Sequence, residues 1–204
     1  MSPTSHDSAG PGLTSYQQTL RERVLAAPQV AAPTPWRSVF EPCAAVGGLV
    51  GIGFAVDPVS GGDLVMVVSH AGHGLFDATT GERIARDPHP DPEGELPEGP
   101  ELSCPGLGPL AGTRVRIAGL YGGGLHSTAS GGWSVEAIGP DWPNERVLLS
   151  TGAGMHRGQH GETWWHVFHS RWSELRAVGF SPSGRTLAVA TSSDLTLWSR
   201  AGEA

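Results

Sequence analysis

The 204-residue chain contains no lysine; all 13 of its basic residues are arginine. A phosphate-binding loop of the GxxxxGK[ST] type is therefore excluded, although Gly122-Gly123-Gly124 supplies a glycine run. Charge is scarce as well, at 16% of residues with a balance of −7. That balance excludes the basic footprint that nucleic-acid binding needs. The two cysteines, Cys43 and Cys104, form no Cys-x-x-Cys pair. A zinc knuckle or thioredoxin-type site is thus unsupported, while two free buried thiols and a single disulfide both stay open. Long apolar runs are missing too. Ala44–Val56 is the longest, holds four glycines, and falls far short of the roughly 20 residues that span a bilayer. The opening MSPTSHDSAGPG lacks the basic and apolar regions of a signal peptide. The expectation is a cytoplasmic protein with neither membrane nor nucleic-acid contact. Its Arg-only, Ala/Gly/Pro-rich composition is that of a GC-rich bacterial coding sequence.

What is abundant is glycine and proline, with 30 and 17 residues. Both are poor in helix interiors, which argues against a helical bundle. A hydrophobic share of 38% with seven tryptophans argues against a wholly disordered chain. Residues 1–13 read as a disordered polar tail. Residues 14–42 read as a helix and a connector. Thr14 or Ser15 caps the helix at 15–27, Pro28 stops it, and Tyr16, Leu20 and Val24 form its apolar stripe. Trp36, Val39 and Phe40 anchor the connector. Residues 43–204 read as an all-β domain of short strands at Leu49–Val56, Asp63–Ser69, Gly74–Ala78, Glu82–Arg86, Thr113–Leu120, Trp133–Ile138, Arg146–Ser150, Thr163–Ser170, Leu175–Phe180, Arg185–Ala190 and Leu195–Trp198. The unbroken apolar run at 63–69 predicts a strand covered on both faces. An acidic, Pro-rich segment at 87–108 reads as a long exposed loop.

The last 30 residues carry a motif. Val178-Gly179-Phe180-Ser181-Pro182-Ser183-Gly184 leads to Leu187–Thr191, then Ser193-Asp194, then Leu195-Thr196-Leu197-Trp198. Proline presets φ at the turn and glycine supplies the left-handed position. This unit, 174–200, resembles a repeat of the WD40 β-propeller family. Two looser echoes follow the same plan. One runs through Ile52–Pro58, Leu64–Val68 and Gly74–Gly81, the other through Ala137–Asp141, Val147–Thr151 and Trp164-Trp165. The turn prolines at 58, 140 and 182 fit a period of about 41 residues. The resemblance implies a small WD40-like propeller, or a propeller-like stack of about four short antiparallel sheets. A fourth unit is expected near 90–130. It also implies that the connector around Trp36–Phe40 supplies the closing strand, and that Trp198 packs between sheets.

The candidate functional residues sit on glycine-rich loops. Trp142, in the turn Pro140-Asp141-Trp142-Pro143-Asn144, is expected at an exposed tip and leads as a recognition residue. Tyr121, His126, Arg157 and His160 are the other binding candidates. His156, His160, His166 and His169 cluster in sequence, and imidazole is a common metal ligand. His156 and His160 are the metal candidates, but the glycines around them predict a loop without fixed geometry. The odd separation of His166 and His169 predicts that they face opposite ways on a strand. No cofactor motif and no GxSxG elbow is present. The leading expectation is a non-enzymatic module that binds a protein or peptide, with homo-oligomerisation compatible. One alternative is a His-based or metal-dependent hydrolase using His126, His156, His160 and Asp141. Another is an immunity-type partner of a toxin, docking through the acidic loop.

Overall fold

The computed structural model describes residues 12–152 and 154–200. The expected tail, 1–13, lies outside the described residues except for Gly12 and Leu13. The first element is helix α1 (Ser15–Ala26). Thr14 caps it: its hydroxyl accepts from the Gln17 backbone, and the Gln17 side chain accepts from the Thr14 backbone. The connector contributes β1 (Arg37–Ser38) and β2 (Ala44–Ala45). Then come β3 (Leu49–Val56), β4 (Asp63–Ser69), β5 (Gly72–Asp77) and β6 (Arg83–Asp87). The ribbon strands β7 (Ser103–Pro105) and β8 (Arg114–Arg116) follow, with the short β9 (Ala118–Gly119). The second half holds β10 (Thr128–Ala129), β11 (Trp133–Asp141), β12 (Asn144–Thr151), the one-turn helix α2 (Gly154–Arg157) and β13 (Trp164–Ser170). Strands β14 (Leu175–Phe180), β15 (Thr186–Thr191) and β16 (Asp194–Ser199) end it.

These strands make three antiparallel sheets and a ribbon. The first sheet has the order β6-β5-β4-β3-β9, the second β10-β11-β12-β13, and the third β14-β15-β16 with both β1 and β2 on the far side of β16. The connector therefore does complete the last unit, with Arg37 opposite Ser199 and Ser38 opposite Trp198. The region expected to hold a fourth full unit forms the two-stranded ribbon β7-β8 and adds the two-residue edge strands β9 and β10 to the first and second sheets.

The sheets stack face to face without closing. Leu49, Ile52, Val65 and Val67 of the first sheet pack on Ala188, Ala190, Leu195 and Leu197 of the third. The third sheet's other face, with Phe180, Leu187, Val189 and Trp198, packs on Val135, Val147 and Leu149 of the second. Trp36 of the connector joins that second core. The ribbon caps the far face of the first sheet through Cys104 and Val115. Helix α1 caps the far face of the second through Val24 and Ala27. The layer order is α1, second sheet, third sheet, first sheet, ribbon.

Strand period explains the apolar runs. In β4, Val65 and Val67 face the third sheet while Leu64, Met66 and Val68 face the ribbon. Each such buried side chain contributes about 1.5–3 kcal/mol. Close approach is allowed at Gly53, where a Cβ would run into the Arg116 carbonyl and within 2.8 Å of the Val115 side chain. One polar knot crosses the apolar interface. Buried Asp63 accepts at Oδ2 from the hydroxyls of Ser181, Ser183 and Thr186, at 2.7, 2.6 and 2.9 Å. This ties the first sheet to the Ser-Pro-Ser-Gly turn of the last unit.

Several expectations need correction. The expected apolar stripe docks only at its far end: Val24 is buried, Leu20 half-buried and Tyr16 exposed. Guanidinium-to-carbonyl bonds also hold the helix, from Arg21 to Pro140 and from Arg23 to Met155 and Gly158. The acidic loop is only partly exposed, because Gly94 is buried beside Pro105 and buried His73 donates from Nε2 to the Glu95 carbonyl at 2.9 Å. His73 itself lies in β5. Both thiols are free, with Cys43 half-buried and Cys104 buried. Burial pushes the Cys104 thiol up to about 11, so it is an inert thiol. Among the described residues no helix is long and apolar enough to cross a membrane.

Candidate functional site

Two turns at one end of the second sheet form a groove. The β11–β12 hairpin pairs Asp141 with Asn144, which leaves Trp142 and Pro143 as its two tip residues. Trp142 is 83% exposed there. The β13–β14 turn, Arg171–Glu174, stands beside it and carries Trp172, which is 95% exposed. Both indoles line one open groove of about 640 Å³, together with Glu145, Arg171 and Glu174. Through Glu145 and Leu175 the groove adjoins a second depression of about 240 Å³ lined by Gly123, Gly124 and Leu125.

The groove floor is fixed by backbone. Ser170 Oγ accepts from the Glu145 N–H at 3.0 Å and donates to the Glu145 carbonyl at 3.2 Å. Glu145 is half-buried, and no ion pair reaches its carboxylate among the described residues. Burial, and then the charge of Glu174, pushes the Glu145 carboxyl above its usual range. Glu174 pairs with Arg176 at 3.0 Å.

Behind Trp142 lies a buried polar cluster. Arg146 reaches Asp141 at 3.4 Å and donates to the Val24 carbonyl of α1 at 3.0 Å. His169 Nε2 stands 3.9 Å from Asp141, and its Nδ1 accepts from Arg171 Nε at 3.1 Å. His166 donates from Nδ1 to the Ala27 carbonyl at 3.1 Å. The two imidazoles share a face, with ring centroids 5.6 Å apart. The expectation of opposite faces fails because of a β-bulge: His166 pairs with Leu148 and His169 with Arg146, so Val167 is an extra residue between them. Burial first, and the Arg146 charge after it, pushes both histidines below their ordinary value. Arg171 adds to the effect at His169. Asp141 Oδ1, Arg146 Nε and the Nε2 atoms of both histidines are buried without a hydrogen-bond partner.

The remaining sequence candidates stay apart from the Trp142 tip. Tyr121 is exposed on the loop after β9. The His126 carbonyl accepts from the Phe180 N–H at 2.7 Å, which places His126 at the edge of the third sheet. Arg157 is exposed at the end of α2. His156, on α2 rather than in a loop, meets the Tyr16 hydroxyl at 3.1 Å through Nδ1. His160 packs edge-on against Trp164, with centroids 4.8 Å apart. Those two histidines do not converge on a common point. No group of three His, Cys, Asp or Glu side chains is arranged to hold a metal ion among the described residues. Trp198 packs between sheets, at 7% exposure. Trp172 is the functional candidate that sequence reasoning passed over. Its signal was the polar flank Arg171-Trp172-Ser173-Glu174, which no buried strand would carry.

The chain matches no family model and no curated protein. Among solved structures it is similar to a chain described as glucose dehydrogenase, at 16% identity and a TM-score of 0.21. That likeness covers 74% of this chain and 44% of the other. The chain thus spans less than half the length of that neighbour, and so low a score sets up no common fold.

Proposed function

We propose that this chain is a non-enzymatic module of WD40-like blades that binds a protein or peptide through the Trp142–Trp172 groove. The observation that carries the reading is the pair of bare indoles on one groove. Folded proteins seldom leave large aromatic surface open without a use, and tryptophan is the richest interface anchor. The blade-like architecture supports the rest. Each full sheet is a short antiparallel meander, and the last is completed by the N-terminal connector, as the family resemblance implies. The hydrolase alternative draws no support from the geometry. No Ser, Thr or Cys side chain bonds a histidine ring among the described residues; the one hydroxyl that does is that of Tyr16, on His156.

The test is selection of a displayed random-peptide library on the full chain. Enriched peptides should bind wild type and lose at least about tenfold in affinity for a Trp142→Ala/Trp172→Ala variant, a loss of roughly 1.4 kcal/mol or more. Both side chains are exposed, so the variant keeps its circular dichroism and melting temperature. Peptides that bind the variant equally well, or no enrichment at all, overturn the reading.

A further inference from the structure

We infer that the Trp142–Trp172 groove takes a cationic side chain, an arginine or lysine of the partner, held between indole faces and the carboxylates of Glu145 and Glu174. This rests on the peptide-binding reading above and names the partner's chemistry.

Indole faces attract cations through their negative quadrupole, and tryptophan does so best. A groove with two open indoles and two carboxylates presents both halves of a cation site. Arg171 is the one cation among the groove's lining residues, against the two carboxylates of Glu145 and Glu174, so the lining is net negative. Arg171 donates from Nε to His169 Nδ1. Arg176 is divided between Glu174, at 3.0 Å, and the Leu49 carbonyl, at 3.3 Å from its Nε. Glu145 is left with no cation of its own and with Glu174 close enough to repel it. A guest cation relieves that repulsion and replaces the water that Glu145 has partly lost. An anionic guest meets one arginine, Arg171, against two carboxylates. The whole chain points the same way: a net charge of −7 steers cationic partners toward it and repels acidic ones.

Two small probes test the charge directly. The ¹⁵N-labelled full chain is titrated with N-acetyl-arginine amide and, separately, with N-acetyl-citrulline amide, its uncharged isostere. Indole N–H signals are assigned through Trp142→Phe and Trp172→Phe. The Trp142 and Trp172 signals should move with the arginine probe and stay still with citrulline. A Glu145→Gln/Glu174→Gln variant, checked for an unchanged spectrum elsewhere, should weaken the arginine response about tenfold. Equal responses to both probes, a response unchanged in the glutamine variant, or no response to arginine overturns the cation site. The library selection separates the two claims. Peptides that need both tryptophans but keep their affinity when every Arg and Lys is replaced by citrulline leave the docking groove standing and remove the cation site.

Discussion

Leu49, Ile52, Val65 and Val67 of the first sheet meet Ala188, Ala190, Leu195 and Leu197 of the third, with Asp63 as the polar knot. Helix α1 brings only Val24 and Ala27 as buried apolar residues to the second sheet. There the contact is carried by arginines donating to carbonyls and by His166 donating to Ala27. The first interface removes apolar area from water, and its strength depends on fit. The second exchanges hydrogen bonds with water for hydrogen bonds within the protein, a net gain of about 0.5–1.5 kcal/mol for each ordinary bond. It leaves four polar atoms of its cluster buried without partners. The sheet interface supplies stability, whereas the helix interface supplies placement and a dependence on pH.

Four changes break or sharpen that contrast. Leu197→Ala strikes the sheet interface at a fully buried position and costs about 2–5 kcal/mol. Its unfolding in urea should shift as one cooperative step, since the first and third sheets share that core. Arg146→Ala strikes the helix interface. It strips a donor from the Val24 carbonyl and a partner from Asp141, and costs about 1–3 kcal/mol. Hydrogen exchange should rise first in α1, while β4 and β15 stay protected; equal loosening of both would erase the contrast.

Acidification sharpens it further. His166 and His169 have folded values below the ordinary one, so the unfolded chain binds more protons as pH falls below about 6.5. Their contribution is fully present above that pH and is lost as pH falls toward the lowered folded values. Thermal melts between pH 7 and 5 should show this fall, and His166→Gln should flatten it. An unchanged slope would assign the pH response to other groups. The smallest effect belongs to Thr14→Ala, which removes the α1 cap for about 0.5–1 kcal/mol. Proteolysis near Ser15 should quicken without a change in the sheet cores.

Much of the fold was legible before any coordinates. The full-length strands β3, β4 and β14 match their expected bounds because period-two patterning and glycine or proline punctuation mark them directly. The connector's role on β16 was legible through the resemblance. The strands β7 and β10 were not, since two or three residues carry no period. Trp142 was legible as a tip between two prolines. Trp172 was less so, because its neighbour on the groove is 30 positions away in the chain.

By itself the sequence determined the class of the protein: short antiparallel strands, dense turns, a net negative charge, and apolar runs that demand cover on both faces. These are local properties, set by backbone sterics and side-chain period. Only the tertiary structure decided that the stretch near residues 103–116 forms a separate ribbon, that the helix docks largely through carbonyls, that a bulge turns His166 and His169 to one side, and that two tryptophans share one groove. Each of those depends on which residues distant in sequence become neighbours, and pairing between strands, not any local pattern, makes that choice.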